Sequence, residues 1–289
     1  MTAPHPQEWT IETVLRWATD DFRARGIGSP RLDAELLLGK ALSRTRIQLI
    51  ADAKEGLGPD ELVRFRELVK RRRAREPVAY ILGVREFYGR PFRVDARVLV
   101  PRPDTETLVD VALERTRHVS MSLRALDLCT GSGCVGITLA RERPTSCVVA
   151  SDVSADALSV ARDNALRLGA YNVAFRRGDL FAAVDPTWRF DLVTANAPYI
   201  ASAEIDALEL DVRGHEPRLA LDGGDDGLAI VRRIVAEARA HLAGSGCLAL
   251  EIGYGEAAAA AALLADAGFT AVEVRRDYAR IERVVSGVL

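Results

Sequence analysis

The segment FDLVTANAPYI (190–200) ends an apolar, strand-like run on a carboxamide, a small residue, a proline and an aromatic ring. A strand tip built from Asn196, Ala197, Pro198 and Tyr199 either holds a polar planar group in a fixed pose or is merely a turn. The choice depends on what the neighbouring strand tips carry.

The first such tip is DLCTGSGCVG, which follows one apolar run and opens another; Gly131, Gly133 and Gly136 satisfy the spacing GxGxxG. Glycines at these positions let the backbone turn tightly and approach a ligand with no Cβ in the way. Asp152 ends the next strand, 21 residues after Gly131, where a carboxylate accepts hydrogen bonds from ribose hydroxyls. The pair suits a nicotinamide dinucleotide and S-adenosylmethionine alike, since both present an adenosine ribose. Two features favour S-adenosylmethionine. Asp179-Leu180, in the turn RRGDLF after the third strand, places a carboxylate where an adenine amino group can donate to it. Hydride transfer would need an acid–base residue such as a histidine, and His5, His118, His215 and His241 are scattered.

These tips require a sheet to hold them. From residue 123 the chain alternates strand and helix patterns: RALDLC, CVVASD, NVAFRR, FDLVTA and CLALEI read as strands separated by helical stretches, with an antiparallel-looking end at FTAVEVRR and RIERVVSG. Such alternation predicts an α/β fold with a doubly wound parallel sheet. Residues 8–76 carry no strand signal. Ile11, Val14, Leu15, Ala18 and Phe22 share one helix face; Gly26 and Gly28 stop that helix, Ser29 and Pro30 restart one, and Asp60 opens another. Residues 79–103 turn β-branched and aromatic, with Gly83 and Gly89 as turns, which predicts a hairpin joining the halves.

Composition narrows the class. The chain has 289 residues, 48% hydrophobic and 28% charged, with net charge −2, so global attraction to nucleic acid or membrane is absent. The run Lys70, Arg71, Arg72, Arg73, Arg75 reads first as a solvated helix face, with contact to RNA or an acidic partner as the alternative. No apolar run approaches the ~18 residues of a membrane helix, and MTAPHPQEWT has no secretory pattern, so a cytoplasmic location is expected. Cys129, Cys134, Cys147 and Cys247 lack ligand or redox spacing; three sit in strand-like runs as small buried apolar groups, and no metal site is expected.

Asn196-Ala197-Pro198-Tyr199 resembles the Asn-Pro-Pro-Tyr signature of methyltransferases that modify planar, amide-like or exocyclic nitrogens. The resemblance implies a clamp. The Asn196 side-chain oxygen and the Ala197 carbonyl accept the two N–H hydrogens, which aims a delocalised lone pair and offsets developing positive charge. Pro198 holds residue 197 extended, and Tyr199 offers a ring face. The whole chain resembles the PrmC/HemK family of release factor glutamine methyltransferases, through REPVAYILGVREFYG (75–89), VLVPRPDTETLV (98–109), LDLCTGSG (126–133), NAPYI (196–200), HEPRLALDGGDDGL (215–228) and LEIGYG (250–255).

That resemblance implies a seven-stranded Rossmann-like S-adenosylmethionine-dependent methyltransferase domain (105–289), a helical N-terminal substrate-recognition domain (1–78) and a β-hairpin linker (79–104). It implies transfer of a methyl group to the glutamine amide in the Gly-Gly-Gln motif of class 1 peptide chain release factors, with S-adenosylhomocysteine as product. By position, Cys129, Thr130, Gly131, Ser132, Gly133, Asp152 and Asn196 would hold the donor, Asp179 and Leu180 its adenine, and Asn196 to Tyr199 the amide. Arg102, Pro103 and Thr105 either line the site or brace the joint between domains; Glu216-Pro217 line the site or shape a loop. The sequence departs from the family at Ala197, Glu256 and Asp277-Tyr278, which keeps open a related enzyme acting on a ribosomal protein glutamine, a nucleobase amine or a small metabolite, or a non-enzymatic binding module.

Overall fold

The computed structural model describes residues 9–119 and 122–289, which form two compact units: residues 9–83 with 210–215, and residues 84–209 with 216–289. The reading of residues 1–8 lies outside the described residues.

The first unit packs α1 (Ile11–Ala24), α2 (Pro30–Leu42), α3 (Arg46–Ala51), α4 (Pro59–Arg73) and α5 (Val78–Leu82). The five apolar residues of the α1 face are all buried, against Leu37, Leu38, Phe65, Val69 and Ile81. Burial stabilises each large side chain by roughly 1.5–3 kcal/mol. Thr10 and Thr13 cap α1 reciprocally, each hydroxyl accepting the other's backbone N–H. Ser29 caps α2 by position only, since its hydroxyl makes no bond to the helix; Pro30 presets the first turn. α4 opens at Pro59, one residue before Asp60, because the Glu61 carboxylate accepts the Gly58 N–H (2.8 Å).

The arginines of the basic run are not simply solvated. Arg72 is buried, donating to Asp33 (2.7 Å) and to Asp211 (2.5 Å), and Arg75 also reaches Asp211 (3.5 Å). Arg71 pairs with Glu76 and Arg73 with Asp21. The spacing of the run puts successive arginines on different sides of α4, where each meets a carboxylate that is distant in sequence or beyond the helix end.

The second unit begins later than the expected hairpin. Residues 78–82 are helical because Pro77 caps α5 and Ala79, Tyr80 and Ile81 are buried; Gly83, at φ +77°, ends the helix instead of turning a strand. The strands β1 (Val84–Phe87) and β2 (Arg90–Arg93) pair around Tyr88-Gly89. Phe87 and Phe92 are buried with Leu108 and Val111, so the hairpin belongs to this unit's core rather than forming a separate linker.

Then follow α6 (Glu106–Arg115), β3 (Arg124–Leu128), α7 (Cys134–Glu142), β4 (Cys147–Asp152), α8 (Ala155–Leu168), β5 (Val173–Arg177) and β6 (Phe190–Ala195). The short α9 (Leu210–Arg213) lies in the first unit. After it come α10 (Ala229–His241), β7 (Leu242–Glu251), α11 (Ala257–Asp266), β8 (Thr270–Arg276) and β9 (Glu282–Val288). The sheet order is β5-β4-β3-β6-β7-β9-β8, with β3 to β7 parallel and β9 antiparallel to both neighbours. Leu126, Val193 and Leu248 face one core, and Ala125, Leu192 and Ala249 the other. Burial on both faces explains why these strands read as continuous apolar runs. Of the cysteines only Cys247 is buried; Cys129 and Cys134 are half-buried, and Cys147, which opens β4, is exposed. Strand order reverses between β3 and β6, the place where open α/β sheets bind ligands.

Candidate active site

The carboxyl ends of β3, β4 and β6 border a cavity of about 370 Å³. Its wall includes Cys129, Thr130, Gly131, Ser132, Asp152, Asp179, Leu180, Asn196, Pro198, Arg102 and Thr105; Gly133, Pro103, Ala197 and Tyr199 do not line it.

The loop after β3 is held by a small polar network. The Thr130 N–H donates to the Ser151 carbonyl (2.9 Å), and the Thr130 hydroxyl to Asp127 Oδ2 (2.5 Å). Asp127 also receives the Thr194 hydroxyl (2.9 Å) and the Gly136 N–H (3.0 Å). Burial pushes its carboxyl up to about 6 although all three donors favour the anion. Cys129 (φ +54°) and Leu180 (φ +49°) both hold the left-handed conformation that ordinary side chains avoid, and both face the cavity. A Cβ on Gly131 would meet nothing within 4 Å, so that glycine is required by its φ of +55° and leaves the backbone open to a ligand. Gly133 (φ +84°) shares that backbone requirement, and a Cβ there would also lie 2.6 Å from Ile137 Cδ1 and 3.2 Å from Ala161 Cβ.

Asp152 receives the Gly131 N–H on Oδ2 and the Ser154 N–H on Oδ1, both at 2.9 Å. Each oxygen keeps a lone pair for a hydroxyl at the cavity wall. Burial raises the Asp152 carboxyl, against the hydrogen bonds from Ser154, Gly131 and Val153. Asp179 is exposed and Arg233 of α10 occupies its Oδ2 (2.7 Å). Burial, with the nearby aspartates, pushes the Cys129 thiol far above its usual range, so it is no thiolate nucleophile.

At the tip of β6, Asn196 Nδ2 donates to Thr105 Oγ1 (3.2 Å). Among the described residues no hydrogen bond ends on Asn196 Oδ1 or on the Ala197 carbonyl. Extended backbone alternates its side chains. Asn196 and Pro198 therefore line the cavity, while Ala197 packs into the core and the Tyr199 hydroxyl turns to Glu251 Oε1 (3.4 Å). Tyr199 braces the tip from behind; its ring does not line the cavity. Arg102 donates to Glu216 Oε1 (2.6 Å), and buried Glu216 also accepts the Val100 N–H (3.3 Å). The Glu216 carboxylate thus fixes the Pro-Arg-Pro wall, and Pro217 beside it lines the cavity.

Sequence reasoning passed over Asp127 and Glu251. Each is an acid within an otherwise apolar strand pattern, RALDLC and CLALEI, and that interruption was the available signal.

A sheet of this order with a glycine loop and an acidic second strand tip defines a Rossmann-like methyltransferase. The profile described as PrmC N-terminal domain matches residues 13–83, and that described as Methyltransferase small domain matches residues 105–211. The chain is 41% identical over 282 residues to a release factor glutamine methyltransferase of Geobacter sulfurreducens, covering 98% of each. It is 45% identical over 263 residues to that of Burkholderia pseudomallei, covering 89% of this chain and 92% of the relative. A crystal structure of a methyltransferase from Pyrococcus furiosus shares the fold at 18% identity and TM-score 0.52, over 70% of this chain and 90% of that one. The chain belongs to the release factor glutamine methyltransferase family. Its cofactor is S-adenosylmethionine, and the open Gly131 backbone and the free lone pairs of Asp152 fit that molecule. No helix among the described residues is long and apolar enough to cross a membrane.

Proposed function

We propose that the protein methylates the side-chain amide nitrogen of the glutamine in the Gly-Gly-Gln motif of class 1 peptide chain release factors. The observation that carries this reading is the state of the β6 tip: Asn196 gives an N–H to Thr105 and keeps Oδ1 uncommitted beside the uncommitted Ala197 carbonyl. Two acceptors on one strand tip suit a primary amide, which offers two N–H donors.

The bound cofactor supplies an electrophilic methyl group on a sulfonium. Asn196 Oδ1 and the Ala197 carbonyl draw on the two amide hydrogens, raise electron density on nitrogen and hold its lone pair in line. Bound S-adenosylmethionine would give up its methyl group to the nitrogen and keep the electron pair of the S–C bond on sulfur, while the clamp holds the amide in line and leaves its surplus proton free to pass to solvent. No side-chain nucleophile is called for.

The helical unit, residues 1–78 in the sequence reading, serves in this proposal as the recognition element for the protein substrate, with residues 79–104 leading into the catalytic part. A nucleic-acid substrate is disfavoured because the arginines of the basic run are taken up by intramolecular partners. Release factors work in the cytoplasm, which is where this reading places the enzyme. The test incubates the protein with labelled S-adenosylmethionine and a release factor, beside a Gln→Ala control in its Gly-Gly-Gln motif. Label on the wild-type factor alone is expected; equal labelling of both overturns the proposal.

A further inference from the structure

A carboxamide turned by 180° exchanges oxygen for NH₂ with almost no change of shape, so packing alone does not orient Asn196. Hydrogen bonding must choose. Its partner, the Thr105 hydroxyl, has one proton to give and lone pairs to accept with. When Thr105 accepts from Asn196 Nδ2, its own proton needs another acceptor.

That acceptor stands at the tip of β7. Glu251 is 1% exposed, its Oε1 receives the Tyr199 hydroxyl (3.4 Å), and its Oε2 is buried with no hydrogen-bond partner. The Thr105 hydroxyl is near enough to this carboxyl to favour its anion, and the unpartnered Oε2 is open to its proton. We propose that Glu251 is a positioning residue: by taking the Thr105 proton it obliges Thr105 to accept from Asn196 Nδ2, and so presents Asn196 Oδ1 to the substrate amide. The proposal rests on the reading of Asn196 as an amide clamp. A group at 251 able to donate reverses the order. It gives a proton to Thr105, Thr105 gives its own to Asn196 Oδ1, and the NH₂ of Asn196 then meets the NH₂ of the substrate.

The charged and titratable groups around Glu251 are Tyr199 after β6, Asp104 before α6, Cys134 at the start of α7 and Arg283 of β9; Arg283 is itself shared with Asp277 (3.3 Å) and Asp104 (3.5 Å). Burial raises Glu251 to about 7, opposed chiefly by Thr105 and Arg283. Below that pH the carboxyl is a donor, so turnover rises with pH through about 7.

The test compares wild type with E251Q, T105V and T105S on the release factor, beside an NMR titration of protein labelled with ¹⁵N-asparagine. The chain has three asparagines, Asn164, Asn172 and Asn196, so the Asn196 side-chain pair is assigned by its loss in N196A. Expected are a fall in kcat of about 100-fold in E251Q and T105V, donor affinity held within about threefold, rescue in T105S, and loss of the pH limb in E251Q. The Asn196 amide resonances are expected to shift with pH in wild type and to stay fixed in E251Q. Wild-type kinetics in E251Q, or Asn196 resonances indifferent to pH in the wild type, overturn the relay. A wild type that leaves the release factor unmethylated overturns the substrate reading instead, and the resonances still decide the relay.

Discussion

The two units bury charge in opposite ways. In the helical unit, Arg72 is enclosed with Asp33 and Asp211, and both of its partners are bonded to it. In the α/β unit, half-buried Asp152 and buried Glu251 stand at strand tips with unused oxygen lone pairs, and Glu251 Oε2 has no hydrogen-bond partner. A satisfied buried charge holds elements together, whereas an incompletely satisfied one keeps capacity for a ligand and shifts its own protonation. The difference separates framework from site.

The largest effect should come from breaking the satisfied cluster. Arg72→Ala leaves buried Asp33 without its cation, while Asp211 keeps Arg75, and is expected to destabilise the helical unit by about 3–5 kcal/mol. Urea unfolding followed through Trp9 and Trp17, both in that unit, measures it. A change within ~0.5 kcal/mol, as at an exposed surface position, would dissolve the contrast. Asn196→Ala comes next: removing one of the two amide acceptors should lower single-turnover methyl transfer by about 100- to 1,000-fold, with donor binding retained by calorimetry. Unchanged turnover would remove the clamp.

Glu251 sharpens the comparison through pH. Its folded pKa is raised from 4.5 to about 7 by burial, so the stability it contributes is complete below about 4.5 and is lost as pH rises through 7. Relative to E251Q, the wild type should lose on the order of 1–3 kcal/mol between pH 5 and 8, read from denaturation midpoints at each pH. A parallel pH course for both proteins contradicts this. The smallest effect is expected from Ala197→Pro, which restores the family's proline and restricts Asn196. A gain in kcat of up to about fivefold, near 1 kcal/mol, follows from the lost backbone freedom, and a loss of rate would show that the buried position cannot hold the ring.

The amino-acid sequence by itself determined the alternation of strands and helices, the glycine loop after β3, the acid at 152 and the polar break at 196–199. Each of these is a local pattern, set by side-chain period, backbone freedom or an interruption in an apolar run. Tertiary structure alone decided what those residues face. Alternation along an extended tip sends Tyr199 behind the cavity rather than into it. Helix spacing and partners far along the chain consume an arginine run that reads as a solvated face. Glu251 reaches the site only because β7 lies beside β6 in the sheet, a neighbour relation created by pairing residues such as Ala195 and Leu250 far apart in the chain and carried by no local pattern.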